Sequence, residues 1–335
     1  MYQHVIDQNQ EVQKQIYKYE ICLAIAIAIK NDNSMLLTGW DNKVLAHIFK
    51  QGKLKQIKFL HQHESEISTL NFCSRNSNII SGSLDGSIII QSIQQISTTK
   101  WIQKLKGQDD IMCLAISPLS EDLIVSGSRD NSIKFWQCIS KQFSCTQTIQ
   151  EHNNCVCGLS INEQENTVIS CSLDQLIIIF EQVKNNNYVS WVVKQKILVD
   201  QYGYRISFIN QNIFVFQPEQ IIDSKLLIYT LNDQKLFFQS NHLSIKDGGI
   251  SCYYFFPLIY NLKKNILINK NNNNINVIRV LKQNKEEECV EFRLEQIIEF
   301  ENSCIFGTLS NDGEYLVTWD ETYKQIQIRK YQEME

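Results

Sequence analysis

At 335 residues, with 43% hydrophobic and 10% aromatic content, the chain carries enough apolar side chain to bury a large core. A net charge of −4 supplies no global positive field for phosphate backbones, which argues against nucleic acid as a partner. Eleven cysteines, an odd number, are scattered as Cys22, Cys73, Cys113, Cys138, Cys145, Cys155, Cys157, Cys171, Cys252, Cys289 and Cys304; they fit reduced thiols in a cytoplasmic protein better than a disulfide framework.

The first twenty residues carry acidic side chains and no apolar core, so they do not read as a secretory signal. The apolar run 21–29 is far shorter than the about 20 residues of a membrane-spanning helix, and no membrane span is expected. From there the chain repeats itself. LLTGWDNKVLAHI (36–48), IISGSLDGSIIIQ (79–91), IVSGSRDNSIKFW (124–136) and VISCSLDQLIIIF (168–180) each set an apolar run, a polar turn with aspartate and a second run, the signature of a hairpin. Asp41, Asp85, Asp130 and Asp174 stand 44, 45 and 44 residues apart. Further strands precede the hairpins at 70–73, 113–117 and 158–162 and follow them at 98–105 and 145–150. No 3.6-residue stripe competes with this reading.

Another 146 residues separate Asp174 from Asp320, room for three more units. Segments 204–210 and 226–229 fit a fifth. Segments 251–256, 266–269 and 275–280 fit a sixth, and 304–309, 315–318 and 326–329 a seventh. Five residues remain after the strand 325–330, so the last unit lacks an outer strand and would leave an open sheet edge. The segment before residue 21, within 2–17, is expected to supply that strand.

Four strands per unit of about 45 residues resembles the WD40 repeat. The resemblance implies an all-β fold, a seven-bladed WD40 β-propeller spanning 1–335 as one domain, its ring closed by an N-terminal strand in the last blade. Blade limits fall at 18–60, 61–106, 107–150, 151–199, 200–241, 242–299 and 300–331.

His63, Ser81 and Asp85 recur as His152, Ser170 and Asp174 with the same spacing. Taken alone, these residue types suggest a Ser/His/Asp hydrolase. Repetition argues otherwise, because an enzyme needs one activated nucleophile and a repeat fold needs the same staple in each blade. The resemblance implies a buried hydrogen-bond network at these positions, completed by a third-strand Trp. The third blade carries Ser126, Asp130 and Trp136 but has Gln108 in place of His; blades two and four have Gln91 and Phe180 in place of Trp. No blade holds the full set. With no nucleophile elbow, Walker loop or HExxH, no catalytic residue and no cofactor is expected.

Alignment of the blades on their first strands puts Cys22, Cys113, Cys157, Cys252 and Cys304 near one mouth of the central channel, with Cys155 beside Cys157. Small buried hydrophobes and a metal or redox site are the two readings. Metal ligation needs convergence that channel walls do not offer, so no metal is expected. His61, His63, His152 and His242 are placed in loops between blades, 271–274 in a tight polar turn and 286–288 in a surface loop.

The resemblance also implies a partner-facing rim built from two kinds of position. The residue before the turn aspartate gives Trp40, Leu84, Arg129 and Leu173, with Trp319 a looser match; residues opening the inner strands give Glu66, Ser68, Ile111, Cys113, Cys155, Cys157, Tyr202, Tyr204, Ile250 and Phe306. Trp, Tyr and Arg are the types enriched at interface hot spots. The expected function is a non-enzymatic protein–protein interaction scaffold or adaptor, a subunit of a larger complex that binds other proteins. Alternatives are a cytosolic iron–sulfur-cluster targeting subunit and the hydrolase. A ubiquitin-ligase substrate receptor also ranks low, since WQCI at 136–139 lacks the WDxR motif, and repetition argues against the hydrolase.

Overall fold

The computed structural model describes residues 1–4, 26–61, 63–73, 75, 77–95, 101–185, 188–220, 222–247, 252, 255–282 and 290–333. Each repeat folds as a four-stranded antiparallel sheet, since short polar turns join β-branched runs that pair with their neighbours. Strand β1 spans Tyr2–His4. The first blade is β2 (Ala26–Ile29), β3 (Met35–Trp40), β4 (Lys43–Lys50) and β5 (Lys53–His61); the second is β6 (Ile67–Phe72), β7 (Asn78–Ser83), β8 (Ser87–Ser92) and β9 (Gln103–Lys106). The third is β10 (Ile111–Ile116), β11 (Leu123–Ser128), β12 (Ile133–Ile139) and β13 (Gln142–Ile149); the fourth is β14 (Val156–Ile161), β15 (Thr167–Ser172), β16 (Leu176–Asn185) and β17 (Tyr188–Leu198). The fifth is β18 (Gly203–Asn210), β19 (Ile213–Pro218), β20 (Lys225–Leu231) and β21 (Phe237–Ser244); the sixth is β22 (Ile259–Asn261), β23 (Ile266–Asn271), β24 (Asn274–Lys282) and β25 (Val290–Glu299). The seventh joins β26 (Ile305–Leu309), β27 (Tyr315–Asp320) and β28 (Gln325–Tyr331) to β1, so the N-terminal strand closes the ring. The fold is an all-β, seven-bladed propeller. No described helix is long and apolar enough to cross a membrane.

Two expectations shift. His61 ends β5 and His242 lies within β21, so neither sits in a loop between blades. The first strand of the sixth blade is Ile259–Asn261 and not 251–256; Phe256 is buried without joining a strand, and Pro257 has no N–H to give a ladder.

First strands pack against one another around the ring, β26 returning to β2, and they line the central channel. Each seam between blades is filled by its own apolar cluster. Leu36 faces the seventh blade and its neighbour Leu37 the second, which is why these strands read as continuous apolar runs. The seams are tight: a Cβ on Gly127 would lie 2.7 Å from Cys113 Sγ and from Val156 Cγ1.

A belt of glutamines ties the outer strands together. Gln103 donates from Nε2 to Phe143 O (2.6 Å) and accepts the Phe143 N–H (2.8 Å). Gln147 holds both backbone groups of Trp191 at 2.7 and 2.8 Å, and Gln195 those of Phe237 at 2.7 and 2.8 Å. At the closure, Gln296 makes the same pair of bonds to Tyr2.

Candidate functional site

In the second blade His63 Nε2 lies 2.8 Å from Ser81 Oγ, and His63 Nδ1 lies 3.1 Å from Asp85 Oδ2. His152 repeats this in the fourth, 2.7 Å from Ser170 Oγ and 2.9 Å from Asp174 Oδ2. Each aspartate also accepts a backbone N–H from the loop beside its histidine: Asp85 from Glu64 at 2.9 Å, Asp174 from Asn153 at 2.8 Å. In the third blade Gln108 takes the histidine's place. Ser126 donates its hydroxyl to Gln108 Oε1, Gln108 Nε2 donates to Ser132 Oγ (2.8 Å), and Trp136 Nε1 donates to Ser126 Oγ (2.9 Å). Asp130 accepts the N–H groups of Asp109 (3.1 Å) and Ser132 (2.9 Å).

Strand register uncovers two further staples. Trp136 sits opposite Ile124, two residues before Ser126. His47 stands likewise opposite Leu36, two before Thr38, and Arg329 opposite Leu316, two before Thr318. His47 Nε2 is 3.4 Å from Thr38 Oγ1, and Arg329 Nη1 donates to Thr318 Oγ1 at 2.8 Å. Imidazole and guanidinium thus do in the first and seventh blades what indole does in the third.

Burial on its own would raise the Asp85 carboxyl, yet hydrogen bonds from His63 and Ser87 outweigh it and hold the group well below its ordinary range. Asp174 is lowered the same way against burial, by His152 and Asn153, and Asp130 by Ser132. Burial pushes His47 down to about 4. Ser81 is 1% exposed and Ser170 0%. A substrate carbonyl cannot reach either hydroxyl, and an amide replaces the base in the third blade, so this geometry is that of a staple.

A second recurring bond organises the mouth of the channel. Leu84 N–H donates to Glu66 O (2.9 Å), Arg129 to Asp110 O (3.0 Å), Leu173 to Cys155 O (3.1 Å) and Glu219 to Tyr202 O (2.7 Å). The seventh blade repeats it from Glu321 to Cys304 O at 3.2 Å. Glu219 and Glu321 are therefore rim positions that sequence reasoning missed, and Trp319 is not one. Asp320, buried at the end of β27, pairs with Gln325 two residues ahead of the position of Asp85, which places Trp319 in the seam with the first blade. Phe306 fills the same seam, and Ile111 fills that between blades two and three. These three expected rim residues belong to the core. Arg129 is 54% exposed and pairs with Asp110 at 2.6 Å. Leu84, Leu173, Tyr204 and Phe255 are half-buried around Met112, Cys155 and Cys157, and Tyr202 meets Tyr204 edge to face at 5.8 Å. Trp40 is half-buried against the seam holding Phe306 and Trp319. Ser68 is buried, Glu66 half-buried, and Ile250 lies outside the described residues.

A bulge at the start of the inner strand recurs in four blades and leaves Ser68, Met112, Cys157 and Tyr204 as the extra residue, each lining the channel. The channel encloses about 310 Å³. Cys157 therefore matches Met112 and not Cys113, and Cys252 precedes the first strand of its blade; the cysteines do not form a ring at one level. Cys22 lies outside the described residues. The Cys157 thiol donates to Cys155 Sγ at 3.8 Å, which lowers the Cys155 thiol. Burial raises the thiols of Cys113, Cys171 and Cys304. Among the described residues no three His, Cys, Asp or Glu side chains converge as a metal site.

The family model for the WD domain, G-beta repeat, matches residues 54–90, 99–137 and 143–181. Pre-mRNA-processing factor 19 of Mus musculus is 30% identical over 112 residues, 32% of this chain and 21% of that protein. U3 small nucleolar RNA-associated protein 4 of Saccharomyces cerevisiae is 28% identical over 181 residues, 49% and 23%. DDB1- and CUL4-associated factor 5 of Homo sapiens is 27% identical over 116 residues, 33% and 12%. The chain thus spans less than a quarter of the length of these curated relatives. A chain in the crystal structure of a mitotic checkpoint complex superposes with a TM-score of 0.71 at 13% identity, covering 93% of this chain and 89% of that one. Three repeats that match the WD domain family model thus lie within a seven-bladed β-propeller, and in these repeats and in its fold the chain is similar to WD40-repeat proteins.

Proposed function

We propose that the protein is a non-catalytic docking scaffold that holds partner proteins on the channel mouth carrying Trp40, Leu84, Arg129, Leu173, Tyr202 and Tyr204. The observation that carries this reading is the arrangement of half-exposed Arg129, the Tyr202–Tyr204 pair and the Leu84–Leu173 apolar floor, all anchored by the same backbone bond at the start of the inner strands. Tyrosine and arginine over a packed apolar floor are what interface hot spots are made of. Relatives whose names refer to pre-mRNA processing, small nucleolar RNA and a DDB1–CUL4 assembly support a role inside larger complexes. The net charge of −4 favours protein over RNA as what this chain itself touches. The reading of a cytoplasmic protein rests on its scattered thiols. Capture of partners by the wild type and by an Arg129→Ala/Tyr202→Ala variant tests the proposal: partners lost from a variant that still folds support it, and undiminished capture overturns it.

A further inference from the structure

At the junction of blades five and six, β23 places Lys270 where blades two and three have Gly82 and Gly127, a strand position against the neighbouring seam. The side chain is 0% exposed. An ammonium taken wholly out of water needs a compensating partner. Lys270 Nζ lies 3.1 Å from Cys252 Sγ, which is itself buried. Arg205, also buried, donates from Nε to Phe256 O at 2.7 Å, and the backbone of Cys252 bonds the Glu219 carboxylate. Arg205 and Lys270 thus both act on the Glu219 carboxyl and on the Cys252 sulfur, and their positive charge favours a thiolate at Cys252. Burial works against that thiolate, but Arg205 and Lys270 outweigh burial and bring the thiol below its ordinary value. Burial of the ammonium brings Lys270 down to about 8, so a neutral amine is within reach near neutral pH. Most other described thiols are raised by burial and inert by comparison.

We propose that Cys252 and Lys270 form a modification site for hydroperoxides, in which the oxidised Cys252 sulfur is captured by the Lys270 nitrogen as a covalent S–N link. The Cys252 thiolate attacks one peroxide oxygen and the O–O bond breaks; sulfur becomes sulfenic acid, and the departing hydroxide takes a proton from the Lys270 ammonium and leaves as water. The free amine then attacks the sulfenic sulfur, the S–O bond breaks, and a second water leaves with the displaced hydroxyl and an amine proton. Thiolate, ammonium and hydrogen peroxide yield the sulfenamide and two waters, with sulfur oxidised by two electrons and the peroxide reduced. The link ties the segment before β22 to β23 and is opened again by thiols. It is independent of partner docking at the rim.

The test is peptide mapping of the purified chain after treatment with hydrogen peroxide, with thiols blocked and digestion run without reductant. The expected result is a pair of peptides joined through Cys252 and Lys270, two hydrogens lighter than their sum, released by dithiothreitol and lost in Cys252→Ser and in Lys270→Met. Exposed Cys145 serves as the internal reference. Oxidation of Cys252 to sulfinic or sulfonic acid without a link overturns the proposal. So does a Cys252 still reduced after Cys145 has reacted. Both readouts come from the wild type and do not depend on either variant folding.

Discussion

Gln296 holds both backbone polar groups of Tyr2, accepting its N–H at 2.8 Å and donating to its carbonyl at 3.0 Å, across 294 residues of chain. The same two-bond grip joins Gln103, Gln147 and Gln195 to the next outer strand, so the closing contact repeats a joint used around the ring. Tyr2 adds a hydroxyl bond to Gly313 O at 2.7 Å and an edge contact with Tyr331 at 5.5 Å. Gln296→Ala strands two partly buried backbone groups and should cost about 1–3 kcal/mol. Gln147→Ala should cost a similar amount at an internal seam. Urea unfolding of the two variants beside the wild type measures both, and a neutral Gln296→Ala would deny the clasp a role in closure.

The staple in the third blade should tolerate histidine. Gln108→His restores the side chain that His63 and His152 supply to their own serines, and stability should stay within about 1 kcal/mol of wild type. Ser126→Ala leaves the Trp136 indole N–H and the Gln108 amide oxygen without their shared partner and should cost about 1–3 kcal/mol. Thermal unfolding of the two variants separates these outcomes.

Stability should fall on acidification in two windows. His47 is held near 4, below its unfolded value of about 6.5, so the unfolded chain takes up the proton first; stability is whole above pH 6.5 and declines as pH falls from there to 4. The loss from this residue is about 3 kcal/mol. Asp85, Asp130 and Asp174 are held below their ordinary range, so their contribution is whole above about pH 4 and lost below it. Unfolding free energies followed from pH 7 to 3 should show both, and His47→Gln should flatten only the upper window.

At the rim, Arg129→Ala and Tyr202→Ala should leave the unfolding transition within about 0.5 kcal/mol of wild type, since both side chains are at least partly open to solvent. Each should weaken capture of a true rim partner about tenfold or more, the effect of a hot-spot residue. Phe306→Ala and Trp319→Ala should instead destabilise the fold by about 3–5 kcal/mol, because both fill a seam. Circular dichroism melts paired with binding titrations distinguish the two classes.

The hairpins and the blade number were legible because a seam buries both faces of a strand, and that demand writes the same apolar–turn–apolar pattern into blades one to four. Positions that depend on backbone irregularity were not. The inner-strand bulge turns Met112 and Cys157 toward the channel and leaves Ile111 in the seam, and nothing in residue type announces it. Trp319 was misplaced because the aspartate beside it marks the end of a strand and not the tip of a turn. His47 and Arg329 escaped notice because they reach the same hydroxyl position as Trp136 with different chemistry, which only strand register uncovers. Aromatic-x3-Gln on the outer strands, as in Phe143–Gln147 and Trp191–Gln195, is the pattern in the sequence that carries the glutamine belt.

Holding other proteins at the channel mouth is the role proposed for this ring. Affinity purification from the native cell, comparing the wild-type chain with Arg129→Ala/Tyr202→Ala, tests it most directly. The expected result is a set of proteins that co-purify with the wild type and are lost from the folded variant; the same proteins recovered with both, or none recovered with the wild type, would contradict it.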